Sequence, residues 1–141
     1  MSQVHTRRTL AIGALAFVLA GCGGQEAGPT PRGGGQATSP DALAVKLTAL
    51  TTDECYRTPA RQLPKGCQKY VTELSSTAGM VRAQAGLTAS ADGLAKEIDD
   101  YRSAHCDTVP TPGNPCSETL SRIADTLREI KLRVDTQVTS R

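Results

Sequence analysis

The sequence predicts an all-α protein, a small antiparallel helical bundle with two disulfide-clasped inter-helix loops. Three observations predict it. Apolar residues recur at alternating steps of three and four through three long stretches, which is the spacing of one face of a helix. No window alternates apolar and polar residues as a half-buried strand would. Four cysteines, Cys55, Cys67, Cys106 and Cys116, bracket two proline-rich intervals that separate the helical stretches.

The chain opens with a segment that carries Arg7 and Arg8 and no acid, followed by an apolar run over residues 10–20. At about eleven residues the run is well short of the ~20 needed to span a bilayer as a helix. A charged start and a short apolar centre read as a signal peptide. The run ends in Leu19-Ala20-Gly21-Cys22, which resembles the lipobox of bacterial lipoproteins, with small residues before the cut and a cysteine after it. That resemblance covers only the first two dozen residues. It implies removal of residues 1–21, attachment of lipid to Cys22, and a chain anchored to the cell membrane on its outer face. Thr6-Arg7-Arg8-Thr9-Leu10 also resembles a twin-arginine export signal, although general-secretion signals carry paired arginines too.

Removing this leader changes what the charge implies. The chain has 16 basic and 14 acidic side chains; losing Arg7 and Arg8 leaves 14 of each. The mature protein is then formally neutral, without the basic excess that nucleic acid or an anionic bilayer would attract. It also loses Phe17 and His5, keeping three tyrosines and a single histidine, His105. Arginine outnumbers lysine eleven to five, in the manner of exported proteins of high-GC Gram-positive bacteria. A Gram-negative source would instead open periplasmic and outer-membrane locations.

Residues 22–38, the lipidated cysteine and a Gly/Pro-rich stretch, lack apolar periodicity and read as a flexible tether. A coil of this length reaches about 20–25 Å.

The helical domain is expected over residues 39–141. Ser39-Pro40-Asp41 has a capping residue, a first-turn proline and an acid for the positive end of the helix dipole. Leu43, Leu47 and Leu50 then share a face of a short first helix. Cys67, Val71, Leu74, Ala78, Val81 and Ala85 form the stripe of a second helix ending near Gly86. Leu87, Ala91, Leu94, Ile98, Tyr101 and His105 form a third, with Ser90 placed to cap it if the helix proper starts there. Asn114-Pro115 opens a fourth, whose stripe is Leu120, Ile123, Leu127, Ile130 and Val134. Four such helices pack as an antiparallel bundle, with a three-helix arrangement and a loose first helix as the alternative.

A core of Leu, Ile, Val and Ala without Phe or Trp is thin, and covalent help is expected. An even number of cysteines beyond Cys22 in an exported chain reads as two disulfides. Local closure, Cys55 with Cys67 and Cys106 with Cys116, is the favoured pairing. Cross-pairing stays open, because an up-down bundle brings all four cysteines to one end. A tetrathiolate zinc site is the chemical rival, but the spacings lack tight C-x2-C knuckles.

No catalytic constellation is evident. Any Ser-His-Asp or Cys-His arrangement in the mature chain has to pass through His105, which falls at the end of the third stripe beside a disulfide cysteine. Glu97, Asp99 and Asp100 flank the inward positions Ile98 and Tyr101 and read as a solvated face. The pattern therefore predicts neither enzyme nor resident metal or cofactor. It predicts a lipid-anchored helical module for a protein or cell-wall partner, with a metal or small-ligand carrier at His105 and the acidic edge as the alternative. The end away from the tether carries both loops. Leu63 and Val109, apolar and outside every stripe, and Tyr56 beside them among stiff prolines are the candidate partner-binding residues.

Overall fold

The computed structural model describes residues 39–141; the leader, Cys22 and the tether lie outside the described residues. The described chain folds into α1 (Pro40–Leu50), α2 (Glu54–Arg57), α3 (Gln68–Arg82), α4 (Thr88–Ser103) and α5 (Pro115–Thr139). Tight 3-10 turns occupy Pro59–Arg61, Pro64–Cys67 and Cys106–Thr108, and no strand occurs among the described residues.

Helix starts follow local chemistry where a cap is present. The Ser39 hydroxyl accepts the Ala42 N–H at 3.2 Å ahead of Pro40. The Asn114 side-chain oxygen accepts the N–H groups of Cys116 and Ser117 at 2.9 and 3.3 Å ahead of Pro115. Each cap satisfies donors that the first helical turn leaves without partners.

Two helix ends differ from expectation. The helix predicted to reach Gly86 stops at Arg82, and its stripe ends on Gln84 instead of Ala85. The chain tightens there: the Gln84 N–H bonds the Val81 carbonyl at 3.0 Å, a three-residue step. A three-residue step from Val81 carries position 84 onto the inner face and leaves Ala85 exposed. Gly86, at φ 76°, then reverses the chain. Leu87, 1% exposed, seats the start of α4, which begins at Thr88 without a side-chain cap and leaves Ser90 inside the helix. At the other end of α4 the inner stripe stops at Tyr101. His105 is exposed, because it terminates the helix in the left-handed conformation at φ 51°. A residue there points away from the stripe that its spacing assigned it to.

The helices close into a ring: α1 packs on α5 and α3, α3 on α4, and α4 on α5. Leu43 and Leu47 are fully buried, so the first helix is a full member of a four-helix bundle. One end gathers the chain termini of the domain. Arg141 lies 3.8 Å from Asp41 there, and Gln137 donates to the Ala85 carbonyl at 3.0 Å. The other end gathers both cysteine loops.

The four walls are unequal in length. At 1.5 Å per residue, α5 runs about 37 Å and α1 only about 16 Å. The remaining wall beside α5 is built from α2 and the Pro59–Arg61 turn, both packed on α5. The first cysteine loop is thus part of the bundle wall as well as a connection. A single apolar cluster runs through the bundle. To the aliphatic stripes it adds the rings of Tyr70 and Tyr101 and all four loop cysteines.

Candidate functional site

The disulfide end concentrates the residues that the sequence singles out. The bridges are Cys55–Cys67 and Cys106–Cys116, both local, which resolves the pairing. All four sulfurs are consumed in these bonds, so none is left as a thiolate ligand for zinc.

The two loops are joined to each other and to the helices beneath. The Lys65 N–H donates to the Val109 carbonyl at 3.1 Å. The Tyr101 hydroxyl, on a ring only 1% exposed, donates to the Pro64 carbonyl at 2.5 Å. Burial pushes the Tyr101 phenol up to about 12, with Asp107 adding to the shift. Removing a buried polar group from water is costly unless it bonds, and Tyr101 meets that condition by tying α4 to the first loop.

Of the three proposed contact residues, Leu63 alone is exposed, at 44%. Val109 is half-buried against the core, and its carbonyl serves the other loop. Tyr56 is also half-buried against the core, with the Arg128 guanidinium 6.0 Å from its ring centroid. Tyr56 and Val109 are mainly packing residues whose polar and π faces secure the loops. Tyr70, 3% exposed, has a hydroxyl without a hydrogen-bond partner among the described residues. Burial raises its pKa above the usual phenol value, reinforced by Asp53 and Tyr56.

The acids of α4 divide. Asp99 is exposed and pairs loosely with Arg102, and Asp100 pairs with Lys96 at 2.8 Å. Glu97 departs from the expected solvated face. One of its oxygens accepts the Thr126 hydroxyl at 3.1 Å across the α4–α5 interface, and the other is buried without a hydrogen-bond partner among the described residues. Burial raises the Glu97 pKa, against the lowering effects of the Thr126 bond and Arg122. His105 and this acidic edge therefore do not converge. His105 instead borders a cavity of about 150 Å³ with Gln68, Thr72, Tyr101, Arg102 and Asp107. Among the described residues, no three His, Cys, Asp or Glu side chains are grouped to hold a metal ion, and no helix is long and apolar enough to cross a membrane.

One group escaped the sequence reading. Between Glu54 and Glu73 the chain carries Arg57, Arg61, Lys65 and Lys69 and no acid. The signal lies in the distribution of charge along the chain and not in its sum. No known protein family, curated protein sequence or solved structure matches the chain.

Proposed function

We propose that the chain is an exported lipoprotein, held by lipid on Cys22 at the outer face of the cell membrane, whose helical domain is a binding or structural module for a protein or cell-envelope partner. The observation that carries the anchor is Leu19-Ala20-Gly21-Cys22 closing an apolar run too short to span a bilayer. A module is favoured because the disulfide end is rigid and presents exposed side chains to solvent. Preorganised loops lose little entropy on binding.

A small-ligand carrier is the second reading, supported by the cavity beside His105. Its size argues against that role. Ligand sites for drug-sized molecules occupy roughly 300–1,000 Å³, and this cavity is about 150 Å³.

The anchor is tested by Cys22→Ala. Growth with a clickable fatty acid should label the wild-type protein and leave the variant unlabelled, with its leader retained or the protein released. Equal labelling of the two would refute the lipoprotein reading.

A further inference from the structure

Eight cations of the described chain, from Arg57 to Arg141, each lie within 4.0 Å of a carboxylate oxygen. Five cations form no such pair among the described residues: Lys46 on α1 and Arg122 on α5 stand apart, whereas Arg61, Lys65 and Lys69, all exposed, follow one another on the first clasped loop and the turn of α3 after it. Leu63 projects between Arg61 and Lys65.

The backbone explains the arrangement. Gln62 (φ −77°, ψ 150°) and Leu63 (φ −73°, ψ 118°) are extended, and an extended chain sends residues i and i+2 to one side. Burial follows that alternation for Arg61 and Leu63, exposed on either side of half-buried Gln62; Pro64 is buried, and Lys65, in the 3-10 turn that it opens, is exposed. The segment is held from several directions. Gln62 donates to the Thr58 hydroxyl at 2.9 Å, Pro64 accepts from Tyr101, the Lys65 N–H bonds Val109, and the Gly66 N–H bonds the Leu63 carbonyl at 2.8 Å. The Cys55–Cys67 bridge closes the loop.

We propose that this loop docks onto a protein whose surface presents carboxylates around an apolar pocket, with Leu63 filling the pocket and Arg61, Lys65 and Lys69 meeting the carboxylates. This deepens the module reading and rests on it. Charge complementarity selects an acidic partner and speeds the encounter. The leucine selects a folded protein over a polyanionic polymer, which would meet the cations and leave Leu63 without an apolar recess. Leu132, 64% exposed on α5, makes the contrast: its neighbours Lys131 and Arg133 are already paired with Asp135 and Glu129.

The test places a photo-crosslinking residue at position 63, at position 132 or at position 45, where Val45 is 73% exposed on α1, in the full-length chain in intact producing cells and identifies each adduct by mass spectrometry. The expected result is one protein adduct from position 63, through a peptide rich in Asp and Glu. The combined variant Arg61→Glu, Lys65→Glu, Lys69→Glu, verified as folded by its melting curve, should lower the adduct yield about tenfold. Reversing the partner's crosslinked acids to lysine should restore it. Protein adducts from position 45 or 132 but not 63 would overturn this surface while sparing the module reading. No adduct from any of the three would count against the module reading itself. A glycan or lipid adduct at position 63 would overturn the protein partner. An undiminished yield in the charge-reversed variant would overturn the role of the three cations.

Discussion

Tyr101 shows how one side chain serves two parts of the structure. Its ring completes the α4 stripe in the core, and its hydroxyl reaches the Pro64 carbonyl of the first loop. Tyr101→Phe keeps the ring and removes the donor, leaving a carbonyl buried without that partner. Such a loss costs about 1–2 kcal/mol, measurable as a lower denaturant midpoint with the helical content retained. An unchanged midpoint would mean that the bond contributes nothing to the fold. Tyr70 and Tyr101 together set the alkaline limit. Both phenols are raised by burial above the ordinary phenol value of 10.0, Tyr101 to about 12. The unfolded chain therefore releases these protons first. Their contribution is fully present below pH 10 and declines as pH climbs toward the folded values. In an alkaline titration, tyrosinate absorbance from two of the three tyrosines should appear together with the loss of helical circular dichroism. Ionisation of all three before any helix is lost would contradict this burial.

At the scale of elements, the two disulfide loops differ in what they do. The second, over residues 106–116, connects α4 to α5. The first also supplies the α2 and Pro59–Arg61 contacts that extend the short α1 wall along α5. Chain-entropy arguments give each bridge about 3 kcal/mol, since the loops are of similar length. The structural difference breaks that equality. Cys55→Ala with Cys67→Ala should lower stability by about 1 kcal/mol more than Cys106→Ala with Cys116→Ala, as paired thermal melts will show. Equal losses would mean that the first loop is only a connection.

The same contrast explains what the sequence could and could not reveal. The stripes of α1 and α5 and their caps were legible because periodicity and capping are local properties. The Gln84 position was not, because one tightened turn shifts the stripe by a residue without leaving a sequence signal. His105 kept the spacing of the stripe and lost its direction, since spacing does not encode a left-handed helix end. Of the candidate site, Leu63 could be recognised as apolar and outside every stripe. Its surrounding cations required the charge distribution to be followed residue by residue, and the half-burial of Tyr56 and Val109 required the fold.

In the whole molecule as proposed, residues 39–141 form a neutral, cross-linked helical domain behind the Gly/Pro-rich stretch that follows Cys22. A neutral domain has no general attraction to polyanions, and the proposed recognition rests on local chemistry at the first loop. Export with lipid attachment is the central proposal, since it explains both the cysteine at position 22 and the oxidation of the other four. Intact-mass spectrometry of the protein extracted from membranes of producing cells, alkylated without reduction, tests both consequences in one spectrum. The expected spectrum is that of a chain that begins at Cys22, carries the mass of an attached lipid and takes up no alkyl group at Cys55, Cys67, Cys106 or Cys116. A chain that retains Met1, lacks lipid mass, or shows four alkylated thiols would contradict it.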